Sequence, residues 1–261
     1  ARDGTVSLAR RGGTVTTAWE GQTALLHFDQ RAPLRGVIIP RESADTKRIR
    51  DLTAWFGLDS AQLVARGVRV GLGVTSYKRA DRLAGTRITG RATDDRVGSA
   101  ALIHALHGID PTKLTRRAIF AWSVSEETGL TGARYIGTKH GASLKRVYSI
   151  DTFVSSDTPL ERPMFAFTPL GDGVVMRGLD DGAMAPLEEM LRIERIARAH
   201  DIPLQVGTTH GSTDGTSLTV YGASNVGLSW PGRYSHSPGE VLDLRDMDAL
   251  VRLVLAVALE P

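Results

Sequence analysis

Cysteine is absent from the 261 residues of this chain. Disulfides, thiolate metal sites and cysteine nucleophiles are thereby excluded, and a reducing cytoplasm is the compartment that fits. Long apolar runs are missing as well. The longest near the C-terminus, residues 253–259, is far short of a bilayer span, and no basic-then-apolar segment opens the chain. No Gly-x-Gly-x-x-Gly and no phosphate-loop lysine pattern occurs, which argues against nucleotide binding. A serine esterase is disfavoured because Gly-x-Ser-x-Gly is also missing. Aromatics are sparse, at 6%.

What is present is the balance of a globular protein: 41% hydrophobic and 23% charged residues, with a formal net charge of +3. The charge is uneven. Residues 1–92 carry 16 Lys and Arg against 8 Asp and Glu, and residues 93–261 carry 16 against 21. The arginines of the basic part are scattered, without the interleaved aromatics of a nucleic-acid surface. No nucleic-acid or membrane partner is expected.

Turn signals and short apolar runs make residues 1–88 a small β-rich domain. Strands are expected at 24–28, 36–39, 68–74 and 87–90, with a helix over 45–56. From residue 89 onward, strands and helices alternate. Strands are expected at 117–124, 147–154, 173–177, 202–207 and 225–230. Helices are expected at 96–107, 131–140 and 187–199, and from about Asp243, a good N-cap. This alternation predicts an α/β sheet domain covered by helices over 89–261, with functional groups at strand ends.

Four polar clusters stand at such ends. Thr93-Asp94-Asp95-Arg96 precedes a helix; one aspartate is explained as a cap, the second is not. Ser125-Glu126-Glu127 follows an apolar run. Adjacent carboxylates repel unless one keeps a proton or both meet cations, although acidic residues also favour a helix start. Asp151 ends an apolar run, with Asp157 six residues on; a surface loop explains these equally. Arg233-Tyr234-Ser235-His236-Ser237 holds a histidine that an ordinary loop hydrogen bond also explains. If several strand ends converge, carboxylates and a histidine make a divalent cation site of oxygen and nitrogen ligands. Zinc, cobalt or manganese suits that set.

These residues resemble the M42 family of metallo-aminopeptidases, within the co-catalytic zinc exopeptidases. The likeness is carried by the segments 92–98, 125–133, Ile150-Asp151 with Asp157-Thr158-Pro159, Gly211-Ser212-Thr213-Asp214-Gly215, and 231–237. It implies a zinc-exopeptidase-like α/β/α catalytic domain, with a small β-barrel-like inserted domain at the start of the chain. It further implies that Asp94 bridges two cations, that Glu127 and His236 bind one and Asp151 the other, and that Asp95 sits behind the site. Glu126 takes the role of general base and acid. Asp214 and Gly211 take the substrate side. Short peptides are the implied substrates, and a homo-oligomer, often of twelve subunits, the implied assembly.

The family carries one more metal-binding histidine, in a His-x-Asp motif ahead of the inserted domain. His27-Phe28-Asp29 has those letters, but its surroundings resemble insert strands. The expectation is therefore that the histidine lies in an N-terminal segment outside this chain, one not included in the sequence, removed by processing or supplied by another chain; the first residue, Ala1 rather than Met, agrees. An amidohydrolase or carboxypeptidase on the same scaffold, or a catalytically inactive relative acting as a structural subunit or peptide binder, is the alternative. The apolar stretch Met164, Phe165, Phe167 and Leu170 reads as core or as a side-chain pocket. The four tryptophans read as packing residues, and His210 as a residue that could approach the crevice.

Overall fold

The structure is a computed structural model that describes residues 2–40, 52–154, 157–158 and 167–260. It divides into two compact units, residues 1–80 with 236–239, and residues 81–235 with 240–261.

The first unit is built on one antiparallel sheet. Its elements are β1 (Val6–Leu8), α1 (Thr16–Trp19), β2 (Thr23–Leu26), β3 (Leu34–Ile38), β4 (Leu52–Trp55), α2 (Ser60–Ala65) and β5 (Val74–Ser76). The strand order is β1-β4-β3-β2-β5, a curled, half-barrel-like sheet. Ala24 and Leu26 of β2, Ile38, Ala54, Phe56 and Leu63 form its core. Gly36 is required where β3 passes β4, since a Cβ there would meet the Phe56 ring at 2.4 Å and the Trp55 carbonyl at 2.5 Å. The α2 start is a capping box, in which Asp59 accepts from the Gln62 N–H and the Gln62 side chain accepts from the Asp59 N–H.

Two expectations are corrected here. The end of the segment read as a helix, Leu52–Trp55, is strand β4; residues 45–51 lie outside the described residues. The strand expected over 68–74 begins only at Val74. Gly67 and Gly71 both take positive φ, so the chain turns where a strand would need to run straight, and Val70 is left fully exposed.

The second unit carries β6 (Asp81–Arg82), β7 (Arg87–Gly90), α3 (Thr93–Gly108), α4 (Thr131–His140), β8 (Arg146–Val154), β9 (Val174–Leu179), α5 (Leu187–Ala199), β10 (Leu204–Thr208), β11 (Ser224–Gly232), β12 (Glu240–Asp243) and α6 (Leu244–Leu259). Its main sheet has the order β10-β9-β11-β8. β11 runs parallel to β8, and β9 parallel to β10, while β11 and β9 are antiparallel. A side sheet joins β12, β7 and β6.

The amphipathic pattern of the helices explains the packing. Val97, Ala101 and Ala105 of α3, Ile193 and Ile196 of α5, and Leu250 and Leu253 of α6 close over Val174, Met176, Val226, Leu228 and Trp230 of the strands. Asp243 caps α6, accepting from the Arg245 N–H at 3.0 Å. Among the described residues, no helix is long and apolar enough to cross a membrane.

The strand expected over 117–124 is absent: the segment is outside every ladder among the described residues, and Ile119, Trp122 and Val124 are exposed. Hydrophobicity predicts burial, but a strand also needs a partner backbone, which no local sequence supplies. The tryptophans divide in the same way. Trp230 is buried, whereas Trp55 and Trp122 are exposed and do not act as core.

Candidate metal centre

The site of the second unit starts from a break in a helix. Ala92 takes left-handed φ of 51°, and Asp94 and Asp95 lie outside helical geometry before α3 settles. The peptide between the two aspartates is cis. This turn presents both carboxylates together instead of 100° apart around a regular helix.

Asp151 comes from β8, paired in register with Ser229 of β11. Single ligand oxygens of Asp94, Asp95 and Asp151 all lie within 4.8 Å of one another. Crowding and burial have the expected electrical consequence. Burial pushes the Asp95 carboxyl up to about 7, against the pull of hydrogen bonds from Trp230 and Gly98. Asp151 is pushed well above the usual carboxylate range by burial. Arg177 pulls it down, while Asp94, Asp95 and Glu126 push it further up.

Arg177 of β9 is the buried counter-charge. Its Nη2 stands 3.6 Å from Asp151 Oδ2 and its Nη1 3.5 Å from Asp180 Oδ2. Its Nε donates to Ser229 Oγ at 2.9 Å, and Nη2 also donates to the Thr152 carbonyl. Room for this side chain is made at Gly227, where a Cβ would stand 2.7 Å from the Arg177 Cδ. A lone arginine in the apolar run 174–179 was a signal available in the sequence.

Glu126 and Glu127 sit on a single helical turn, Glu126–Thr128, entered through Ser125 at φ 60° and left through Gly129 at φ 118°. Glu126 is half-buried and Glu127 exposed. A Glu127 carboxylate oxygen lies within 4.8 Å of one from Asp94. Asp94 Oδ2 also accepts from the Ser235 hydroxyl at 2.7 Å.

The donor set fits divalent cations. Crowded carboxylates that repel one another are stabilised by a cation between them, and oxygen ligands suit the harder and borderline metals. Asp95 stands apart from Asp94 and Asp151 in one respect: its Oδ1 already accepts from Trp230 Nε1 at 2.8 Å and from the Gly98 N–H at 3.0 Å.

His236 is described with the first unit. It lies at φ 62°, and its carbonyl accepts from the Val15 N–H and from Trp19 Nε1. Its Nδ1 is 3.1 Å from the Gly13 carbonyl oxygen. A carbonyl only accepts, so Nδ1 is the donor in this contact. A ring nitrogen held on a backbone carbonyl is a common way of orienting a metal-binding histidine. His27 is elsewhere in that unit, with Nε2 at 2.8 Å from Thr75 Oγ1.

Asp214 opens the helical turn Asp214–Tyr221. Its Oδ2 accepts from Ser123 Oγ at 2.5 Å, and burial raises its carboxyl. Gly211 is exposed at φ 84°; its N–H donates to Asp181 Oδ2 at 2.8 Å. His210 pairs with the same aspartate at 3.1 Å, exposed to solvent. Asp157 accepts from Arg233 Nε at 2.9 Å. Of the apolar stretch, Met164 and Phe165 lie outside the described residues, Phe167 is exposed and Leu170 is buried.

A family model described as M42 glutamyl aminopeptidase matches residues 1–253. The chain belongs to the M42 peptidase family. This M42 protein is 30% identical over 210 residues to SgcX of Escherichia coli (strain K12), covering 77% of the chain and 56% of that protein. It is 29% identical over 187 residues to the lysyl aminopeptidase of Pyrococcus furiosus, covering 67% and 49%. It thus spans about half the length of the curated relatives it matches. Its fold agrees with the aminopeptidase APDkam598 of Desulfurococcus kamchatkensis at a TM-score of 0.91 and 28% identity, covering all of this chain and 74% of that one. It agrees with the TET1 peptidase of Pyrococcus horikoshii at a TM-score of 0.87 and 27% identity, covering all of this chain and 78% of that one. The M42 chain therefore has the α/β architecture of the TET-type peptidases, and its carboxylates mark a metal site.

Proposed function

We propose that this chain is part of a metal-dependent aminopeptidase that removes the N-terminal residue of short peptides. The observation that carries the reading is the convergence of Asp94, Asp95 and Asp151 on one point, with Glu126 close enough to raise the Asp151 carboxyl. The chemistry that two bound divalent cations, zinc or cobalt and alternatively manganese, would supply here is activation of water and polarisation of a carbonyl. Asp94 would hold both, Glu127 and His236 one, and Asp151 the other. Glu126 takes the water's proton and passes it to the departing amine. Asp214, tied to Ser123 three residues before Glu126, and Gly211 are assigned to the substrate side.

The Pyrococcus horikoshii TET1 peptidase can assemble into a tetrahedron or a large octahedral shell. A homo-oligomer, with twelve subunits as the expected size, is the corresponding assembly for this chain, in the cytoplasm.

The test is Glu126→Gln with leucine p-nitroanilide as substrate and zinc binding measured alongside. A kcat lower by about 100-fold or more, with zinc binding retained, is the expected result. Equal kcat in the variant and the parent defeats the assignment.

A further inference from the structure

The break before α3 leaves backbone donors that the helix cannot satisfy. The first N–H groups of any helix have no intrahelical acceptor, and here Ala92 precedes the helix with no side chain able to cap it. The acceptor comes from 147 residues away. Glu240 opens β12, opposite Gly90 of β7 in the side sheet, and its side chain turns in to 3% exposure. One oxygen, Oε2, accepts from the Thr93 N–H at 2.6 Å, the Thr93 hydroxyl at 2.8 Å and the Asp94 N–H at 3.2 Å.

We infer that Glu240 is the positioning residue for Asp94, holding the backbone of Thr93 and Asp94 so that the Asp94 carboxylate is set for a divalent cation. The inference rests on the metal reading above. It is independent of the bond from Ser235 to Asp94 Oδ2, which holds the carboxylate itself. Ser235 and Glu240 bracket residues 236–239 in the chain, so the two ends of one loop grip the same turn, one by the side chain of Asp94 and one by its backbone.

The alternative role for a buried glutamate beside an acid cluster is charge alone: one more anion that attracts the cation. Reach and charge are separable by substitution. Glu240→Gln keeps the reach and one acceptor oxygen and loses the charge. Glu240→Asp keeps the charge and withdraws the oxygen by one methylene. Zinc affinity of the purified chain is measured by calorimetric titration with zinc chloride, and amide hydrogen exchange at Thr93 and Asp94 is followed in the same variants.

If Glu240 positions Asp94, Glu240→Gln binds zinc within about threefold of the parent. Glu240→Asp then loses about 10–100-fold, the range seen when the support of a metal ligand is removed. Exchange at Thr93 and Asp94 accelerates in Glu240→Asp and stays slow in Glu240→Gln. The reverse order, with the aspartate variant parental and the glutamine variant weak, overturns the inference in favour of charge. Parental zinc affinity in both variants, with only the unfolding midpoint lowered, overturns it in favour of a purely structural cap. Where Glu240→Asp does not fold, Thr93→Val removes the hydroxyl donor alone, and unchanged zinc affinity there counts against the inference. A parent chain that binds no divalent cation defeats the metal reading and this inference with it; a parent that binds zinc while the variants do not follow the positioning order defeats the inference alone.

Discussion

The indole N–H of Trp230 donates to Asp95 Oδ1 at 2.8 Å. It ties the central strand β11 to the acidic turn, joining a buried indole to a half-buried carboxylate. Trp230→Phe keeps most of the ring's packing and removes the donor. Asp95 then retains only the Gly98 N–H on that oxygen. A loss of about 1–3 kcal/mol is expected, the cost of a buried acceptor losing its partner, read from the urea midpoint. An unchanged midpoint would show that the bond contributes nothing to stability.

Gly98 faces the same carboxylate. A Cβ built there stands 2.1 Å from Asp95 Oδ2 and 2.6 Å from Ile150 Cγ2. Alanine is the better helix former by about 1 kcal/mol, yet Gly98→Ala should destabilise by about 1–3 kcal/mol through overpacking and should weaken zinc binding by displacing Asp95. A stabilised variant would contradict the packing at this turn.

Asp243 and Asp246 at the start of α6 have opposite pH behaviour. Asp243 is held well below the usual range, first by its bond with Arg245, so its contribution is present above the unfolded value of 3.8 and is lost as pH falls. Asp246 is pushed up to about 7 by burial, against the pull of the Gly171 and Gly173 N–H groups. Its contribution is full below about pH 4 and is lost as pH rises through about 7, because the native state keeps a proton that the unfolded chain has released. Chemical denaturation from about pH 4 to 8 should therefore show a flatter decline in Asp246→Asn than in the parent. Parallel curves would rule out the raised Asp246 carboxyl.

Asp151→Asn is expected to cost more in metal affinity than in stability. It removes one of three crowded carboxyl groups and leaves Arg177 paired with Asp180 at 3.5 Å. Relief of the repulsion offsets the lost ion pair, so the metal-free midpoint should move by no more than about 1 kcal/mol. Zinc affinity should fall by about tenfold or more. Parental zinc affinity in this variant would remove Asp151 from the ligand set.

The residues legible in the sequence share a property: each sits in a motif whose local pattern betrays it. Glu126-Glu127 is an unbalanced carboxylate pair after an apolar run, and Asp94-Asp95 exceeds what a helix cap needs. The helices at 131–140 and 187–199 were legible residue for residue, because a 3.6-residue period with punctuating glycine or proline is a local signal. The partners that hold the site carried weaker marks. Arg177 reads as a stray charge in a strand, and Glu240 as one more acid after a Pro-Gly turn. The run at 117–124 reads as a strand because its residues are apolar, yet it joins no ladder among the described residues.

Composition and motif order by themselves determined the α/β class, the absence of thiolate ligands and the carboxylates able to meet a cation. These depend on side-chain chemistry and on spacings within a few residues. Tertiary structure alone decided that Asp94, Asp95 and Asp151 meet within 4.8 Å, that Arg177 lies beneath them, and that Glu240 caps the turn from 147 residues away. Sheet order and strand register bring those groups together, and register is set by the burial of whole faces rather than by any short stretch of chain.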